Sequence, residues 1–105
     1  MDRKFTINGK EYEGAKYDYN TSCMFEEMGI QVSEITRKPQ SVLRAYLAIS
    51  SGMDVEDAGK EIEAHIIAGG DLTEIQSVFA KELTESGFFK SLLERQKSDE
   101  KKTKK

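Results

Sequence analysis

The sequence predicts a mainly α-helical fold: a small bundle of about four to five helices, opened by a β-hairpin and closed by a disordered basic tail. Three observations carry this. Asn8-Gly9 lies between the alternating segments Phe5-Thr6-Ile7 and Lys10-Glu11-Tyr12, and Asn-Gly is the strongest short hairpin signal because a type I′ turn needs positive φ at both central residues. From Thr21 to Gln96 apolar residues recur at helical spacing, punctuated by Gly29, Pro39, Gly52 and Gly69-Gly70. From Lys97 to Lys105 no apolar residue remains, so burial cannot offset the entropy of ordering. The expected organisation is one domain over 1–96, with the hairpin at about 5–13, and a tail over 97–105.

In chain order, Phe5, Ile7 and Tyr12 supply an apolar face for the hairpin. A lone two-stranded hairpin is marginal in water, so it must lie on the helices or pair with another chain. Tyr17-Asp18-Tyr19-Asn20 reads as an extended arm ending in an N-cap at Asn20, whose side chain can accept from the first-turn N–H groups. The first helix then runs from about Thr21 to Met28, with Cys23 or Met24 and then Met28 inward, and Gly29 supplies a left-handed stop. Ser33 caps a single turn through Arg37.

Pro39 suits the first turn of a second helix, where its missing N–H costs nothing. Val42, Leu43, Tyr46, Leu47 and Ile49 make that helix the most apolar and therefore the central one. Arg44 on it either pairs with a carboxylate such as Glu27 or stays exposed. Asp54 caps the third helix, with Glu56 and Asp57 near the positive end of its dipole. Its inward stripe is Val55, Ala58, Ile62 and Ile66, with Gly59 expected where two helices approach closely. Asp71 and Glu74 form a capping box for the fourth helix. That helix carries Leu72, Ile75, Val78, Phe79 and Leu83, is interrupted by Gly87, and resumes with Phe88, Phe89, Leu92 and Leu93.

Charge bounds the partners. The net charge is −3, yet the last nine residues hold five lysines against Asp99 and Glu100. The rest is therefore strongly acidic, which argues against nucleic acid as a partner, since phosphates need a cationic face. No apolar run is long enough for a membrane span. A single cysteine, Cys23, allows no internal disulfide and fits a reducing compartment. No leader pattern follows Met1, so a cytoplasmic protein is expected.

No catalytic, cofactor-binding or metal-binding constellation is legible. His65 is the only histidine, with Glu61 one turn earlier and no further ligand at metal spacing. It reads as a surface or rim residue. Cys23 lacks an adjacent base, and Gly69-Gly70-Asp71 joins helices rather than cradling phosphate. An enzyme is not expected. What remains is apolar surface: Phe79, Leu83, Phe88, Phe89, Leu92 and Leu93 either close the core or form a partner-binding or self-association face. Tyr17 and Tyr19 carry the same ambiguity.

Read together, several segments resemble the tail assembly chaperones of long-tailed bacteriophages and prophages of Gram-positive hosts. They are the arm Tyr17-Asp18-Tyr19-Asn20, the acidic pair Glu26-Glu27 with Gly29, the helix Ser41-Val42-Leu43-Arg44-Ala45-Tyr46-Leu47, and Met53-Asp54-Val55-Glu56-Asp57-Ala58-Gly59. The match spans roughly Phe5 to Leu83. It departs where family members often carry a Trp near Ala48, and in lacking a Thr cap beside Asp54. The resemblance marks Tyr17, Tyr19, Asn20, Glu27, Gly29, Leu43, Arg44 and Tyr46 as structural motif residues. It implies a protein that binds and solubilises the tape measure protein, helps recruit tail tube protein subunits, works in the host cytoplasm and is absent from the mature virion. Homo-oligomers and a longer frameshifted product belong to the same expectation; the paired lysines at 101–102 and 104–105 suit A-rich slippery codons. The alternatives are a structural tail or connector accessory, motivated by a free hairpin edge, and a small nucleic-acid-binding regulator. On this reading Tyr19 is expected to serve stability, and Phe88 with Phe89 to serve binding.

Overall fold

The computed structural model describes residues 3–103, with side chains through Arg95. Two antiparallel strands, β1 (Lys4–Ile7) and β2 (Lys10–Glu13), precede five helices: α1 (Tyr19–Glu27), α2 (Pro39–Ser51), α3 (Val55–Ile67), α4 (Thr73–Glu85) and α5 (Gly87–Thr103). A short 3₁₀ turn, Val32–Glu34, lies between α1 and α2.

The hairpin forms as its turn chemistry demands. Asn8 and Gly9 both take positive φ, 53° and 78°, which matches the twist of the flanking strands. The register sets Phe5 opposite Tyr12 and Ile7 opposite Lys10. Phe5 and Ile7 are buried while Lys4 and Thr6 point outward, so the apolar face lies on the helical body. The outer edge of β1 is also covered. The Thr6 N–H donates to Glu74 Oε1 at 2.8 Å and the Asn8 N–H to His65 Nδ1 at 2.9 Å.

Beyond β2 the chain lies flat on α2. The Gly14 N–H donates to the Arg3 carbonyl at 2.7 Å, and the Tyr46 hydroxyl donates to the Ala15 carbonyl at 2.8 Å. A Cβ at Gly14 would strike the Tyr46 hydroxyl and stand 2.7 Å from Val78 Cγ1, so only glycine lets the backbone approach this closely.

α1 starts earlier than expected. Asp18, not Asn20, is its N-cap: Asp18 Oδ1 accepts from the Thr21 N–H at 2.9 Å. Thr21 turns back through its hydroxyl to the Lys16 carbonyl at 2.7 Å. Asn20 is therefore already helical, and the inward residues are Thr21, Ser22 and Phe25, with Met24 exposed. Gly29 does end the helix, at φ 87°. Its N–H reaches the Glu26 carbonyl and that of Ile30 the Phe25 carbonyl, the two bonds of a Schellman motif. The following 3₁₀ turn is fixed by Glu34, whose carboxylate takes the Gln31 N–H at 2.9 Å, rather than by Ser33.

α2 is central. Val42, Leu43, Ala45, Tyr46, Leu47 and Ala48 are buried, and α1, α3, α4 and the hairpin all pack on it. Tyr46 packs against Phe79 with ring centroids 4.8 Å apart and the planes tilted by 55°. The capping box expected at Asp71 is not formed, because Glu74 reaches across to Thr6 instead; Asp71 Oδ1 accepts from the Thr73 N–H. Between α4 and α5 the break falls at Ser86, and Gly87 is the first residue of α5. The Ser86 hydroxyl donates to the Tyr17 carbonyl at 2.6 Å and accepts from the Phe89 N–H at 3.0 Å.

The expected tail begins at Lys97, yet the helical backbone continues to Thr103. Lys and Glu favour helix without needing burial, which accounts for the continuation. Lys104 and Lys105 lie outside the described residues.

Candidate functional site

α3 is packed unusually lightly. Ala58 is its single buried residue, while Val55 and Ile62 are half-buried. Ile66 and Ile67 keep 50% and 78% of their surface in water. The sequence places Ile66 on the inward stripe, but only half of its surface is covered there. Fully burying an Ile is worth roughly 1.5–3 kcal/mol, and the monomer forgoes about half of that at Ile66 and most of it at Ile67.

These residues wall a groove between α2 and α3 with a cavity of about 440 Å³. Leu43 of α2 and Ile62 of α3 line it, and Leu72 lines it from the α3–α4 joint. Gly59 also lines it, and a Cβ there would meet only the Arg44 stem, at 3.3 Å. A mid-helix glycine costs about 1 kcal/mol against alanine. The close helix contact expected at Gly59 is thus made by one flexible side chain, and the remaining space is left open. Arg44 borders the groove, exposed. Among the described residues it makes no ion pair, with Glu27 or any other carboxylate.

The exposed end of α3 is held rigidly. Its last turn closes in a second Schellman motif, with the Gly69 N–H on the Ile66 carbonyl and the Gly70 N–H on the His65 carbonyl. His65, expected at a surface or rim, is a half-buried tie. Its Nδ1 accepts from Asn8 and its Nε2 lies 2.9 Å from the Asp71 carbonyl. A backbone N–H can only donate and a carbonyl only accept, so the ring carries its proton on Nε2. Glu61 completes the tie by accepting from Asn8 Nδ2 at 3.3 Å.

The late-helix candidates do not form one free surface. Phe79 is 6% exposed and belongs to the core, where α4 crosses Tyr46 and Phe25. Leu83, Phe88 and Phe89 are half-buried against that core. Phe89 meets Tyr17 edge-on at 5.6 Å, and Phe88 lies 6.2 Å from the same ring. Leu92 is half-buried, and Leu93 alone of the six is exposed. The two tyrosines of the arm part company. Tyr17 is buried, and burial raises its phenol above the ordinary value. Tyr19 is 67% exposed and touches Phe88 edge-on.

Of the other motif residues, Leu43 and Tyr46 are buried and Asn20 and Glu27 are exposed. Burial pushes the Tyr46 phenol well above its usual range, and its hydroxyl donates to the Ala15 carbonyl. Among the described residues, no three of His, Cys, Asp or Glu gather to hold a metal ion. No helix there is long and apolar enough to cross a membrane. The groove was not legible beforehand, although adjacent Ile66 and Ile67 gave a signal: two neighbours on a helix cannot share one inward stripe.

Comparison with known proteins finds no match, whether among family models, curated proteins or solved structures.

Proposed function

We propose that this chain is a binding protein of the phage tail assembly chaperone type. It holds the long, apolar-striped helices of a tape measure protein in solution in the host cytoplasm. It yields them as tail tube subunits assemble, and is left out of the finished particle. The observation that carries this reading is the half-open apolar face of α3, walled by Ile62, Ile66 and Ile67. Such a face suits a helical client better than a small substrate, and several copies along one long client would add avidity.

The rival reading, a structural tail or connector accessory, draws on a free hairpin edge. That motive is weakened, because Glu74 and His65 occupy the Thr6 and Asn8 N–H groups on that edge. Co-expression tests the proposal. A tape measure protein should move into the soluble fraction when it is made together with this chain. A client equally insoluble with and without this chain contradicts the proposal. Stoichiometric recovery of this chain in purified particles would favour the rival.

A further inference from the structure

We propose that His65 and Glu61 form a proton-operated latch on the hairpin turn, closed around Asn8 when the imidazole is neutral and open when it is charged. The latch is independent of the binding role above and concerns how the hairpin is held to the helical body.

The structure holds the closed state. The Asn8 N–H donates to His65 Nδ1 at 2.9 Å, and Asn8 Nδ2 donates to Glu61 Oε1 at 3.3 Å. Two side chains one turn apart on α3 thus grip the backbone and the side chain of one turn residue. The first bond exists only while Nδ1 keeps its lone pair. A proton taken from water at Nδ1 turns that lone pair into an N–H, and the charged ring then has two donors and no acceptor. Its Nδ1–H faces the Asn8 N–H, donor against donor. The bond on the other side of the ring survives, because Nε2 donates to the Asp71 carbonyl in both forms. The ring also lies so close over Gly70 that a Cβ there would strike Nε2 and Cε1. Proton uptake therefore leaves the ring on the α3–α4 joint and frees the hairpin turn.

The charged groups on the elements that meet here decide what receives the new N–H. In the joint, Asp71 Oδ1 accepts from the Thr73 N–H, and on α4 Glu74 Oε1 accepts from the Thr6 N–H. On β2, Lys10 is a cation and cannot accept, and Glu11 lies 4.0 Å from the Lys4 ammonium across the hairpin. Glu61 stands four residues before His65, the spacing and order in which a carboxylate best meets a cation on a helix. Its one hydrogen bond among the described residues is the long one to Asn8. Swinging to the charged ring, it releases the Asn8 side chain, so one proton undoes both grips. Histidine is the side chain type whose charge changes between about pH 5 and pH 8, and His65 is the only histidine in the chain.

The test is a nuclear magnetic resonance titration of the isotope-labelled full chain from about pH 8 to about pH 5. The backbone amide and the side-chain amide of Asn8 should shift on the same curve as the His65 ring signals. Over that curve the Asn8 amide, corrected for the pH dependence of a free amide, should lose at least about fivefold in exchange protection. The amides of α2 and of Thr6 should keep theirs, because their acceptors are carbonyls and Glu74. His65→Gln carries no titrating ring, so both Asn8 signals should stay flat across the range. Glu61→Gln keeps an acceptor for the Asn8 side chain but gives the charged ring no anionic partner, so release of Asn8 should need a lower pH than in wild type. Asn8 signals that stay still while the His65 ring titrates would overturn the proposal. The same shifts in His65→Gln, or release of Asn8 at an unchanged pH in Glu61→Gln, would also overturn it. Loss of protection in α2 together with Asn8 would do so too, because global unfolding rather than a latch would then be the event.

Discussion

The backbone N–H of Asn8 donates to His65 Nδ1 at 2.9 Å across 57 positions of chain. This bond joins the hairpin turn to the last turn of α3, the turn that holds Ile66 and Ile67. His65→Leu should lose it together with the bond to Asp71, at a cost of about 1–2 kcal/mol for two exposed bonds. Amide exchange at Asn8 should quicken more than exchange in α2. Glu74→Ala should do the same for Thr6, while Glu74→Gln, which keeps an accepting oxygen, should not.

Tyr17 and Tyr19 provide a contrast within three residues. Tyr17→Ala empties a site shared by Phe25, Phe79, Phe88 and Phe89, and should cost about 3–5 kcal/mol. Tyr19→Ala removes a mostly exposed ring and should cost under about 1 kcal/mol. Denaturant midpoints at unchanged m-value check both. The burial pattern reverses the expectation that Tyr19 is the stabilising residue. It also makes Phe88 with Phe89 a core-edge pair, whose joint replacement by alanine should destabilise the monomer.

Tyr46 tests the seat of the arm. Tyr46→Phe keeps the ring against Phe79 and leaves the half-buried Ala15 carbonyl without its donor. A loss of about 1–2 kcal/mol is expected in chemical unfolding. Gly14→Ala should cost more, because its Cβ collides with the Tyr46 hydroxyl and Val78 in a packed interior.

Asp18 gives a pH dependence of known sign. The Thr21 backbone N–H, the largest cause, holds its carboxyl below the ordinary 3.8. A carboxylate lowered on folding stabilises fully above its unfolded value, and that contribution fades as pH falls through the lowered one. Wild type should therefore lose more stability than Asp18→Asn between about pH 6 and pH 3, since asparagine caps equally well and does not titrate. Thermal melts of the two proteins at both pH values make the comparison.

Helix ends and the hairpin were legible because their signals are local. Asn8-Gly9, Gly29, Pro39, Asp54 and Gly69-Gly70 each act on the adjacent turn. The cap of α1 was not, because Asp18 and Asn20 are both good caps two residues apart, and Thr21 chooses between them by hydrogen-bonding back to Lys16. The role of Glu74 was hidden for a different reason. Its carboxylate serves a strand 68 positions away, and no local pattern records that. Periodicity placed Val55, Ala58 and Ile62 on the inner side of α3 but could not reveal that Ile66, assigned to the same stripe, stays half in water.

The most direct test is the soluble yield of the proposed client, a tape measure protein, co-expressed with this chain or its variants. The account predicts rescue by wild type and by Tyr19→Ala, and loss of rescue with Ile67→Asp, which changes a mostly exposed residue and should remain folded. A client that remains insoluble beside wild type would contradict it.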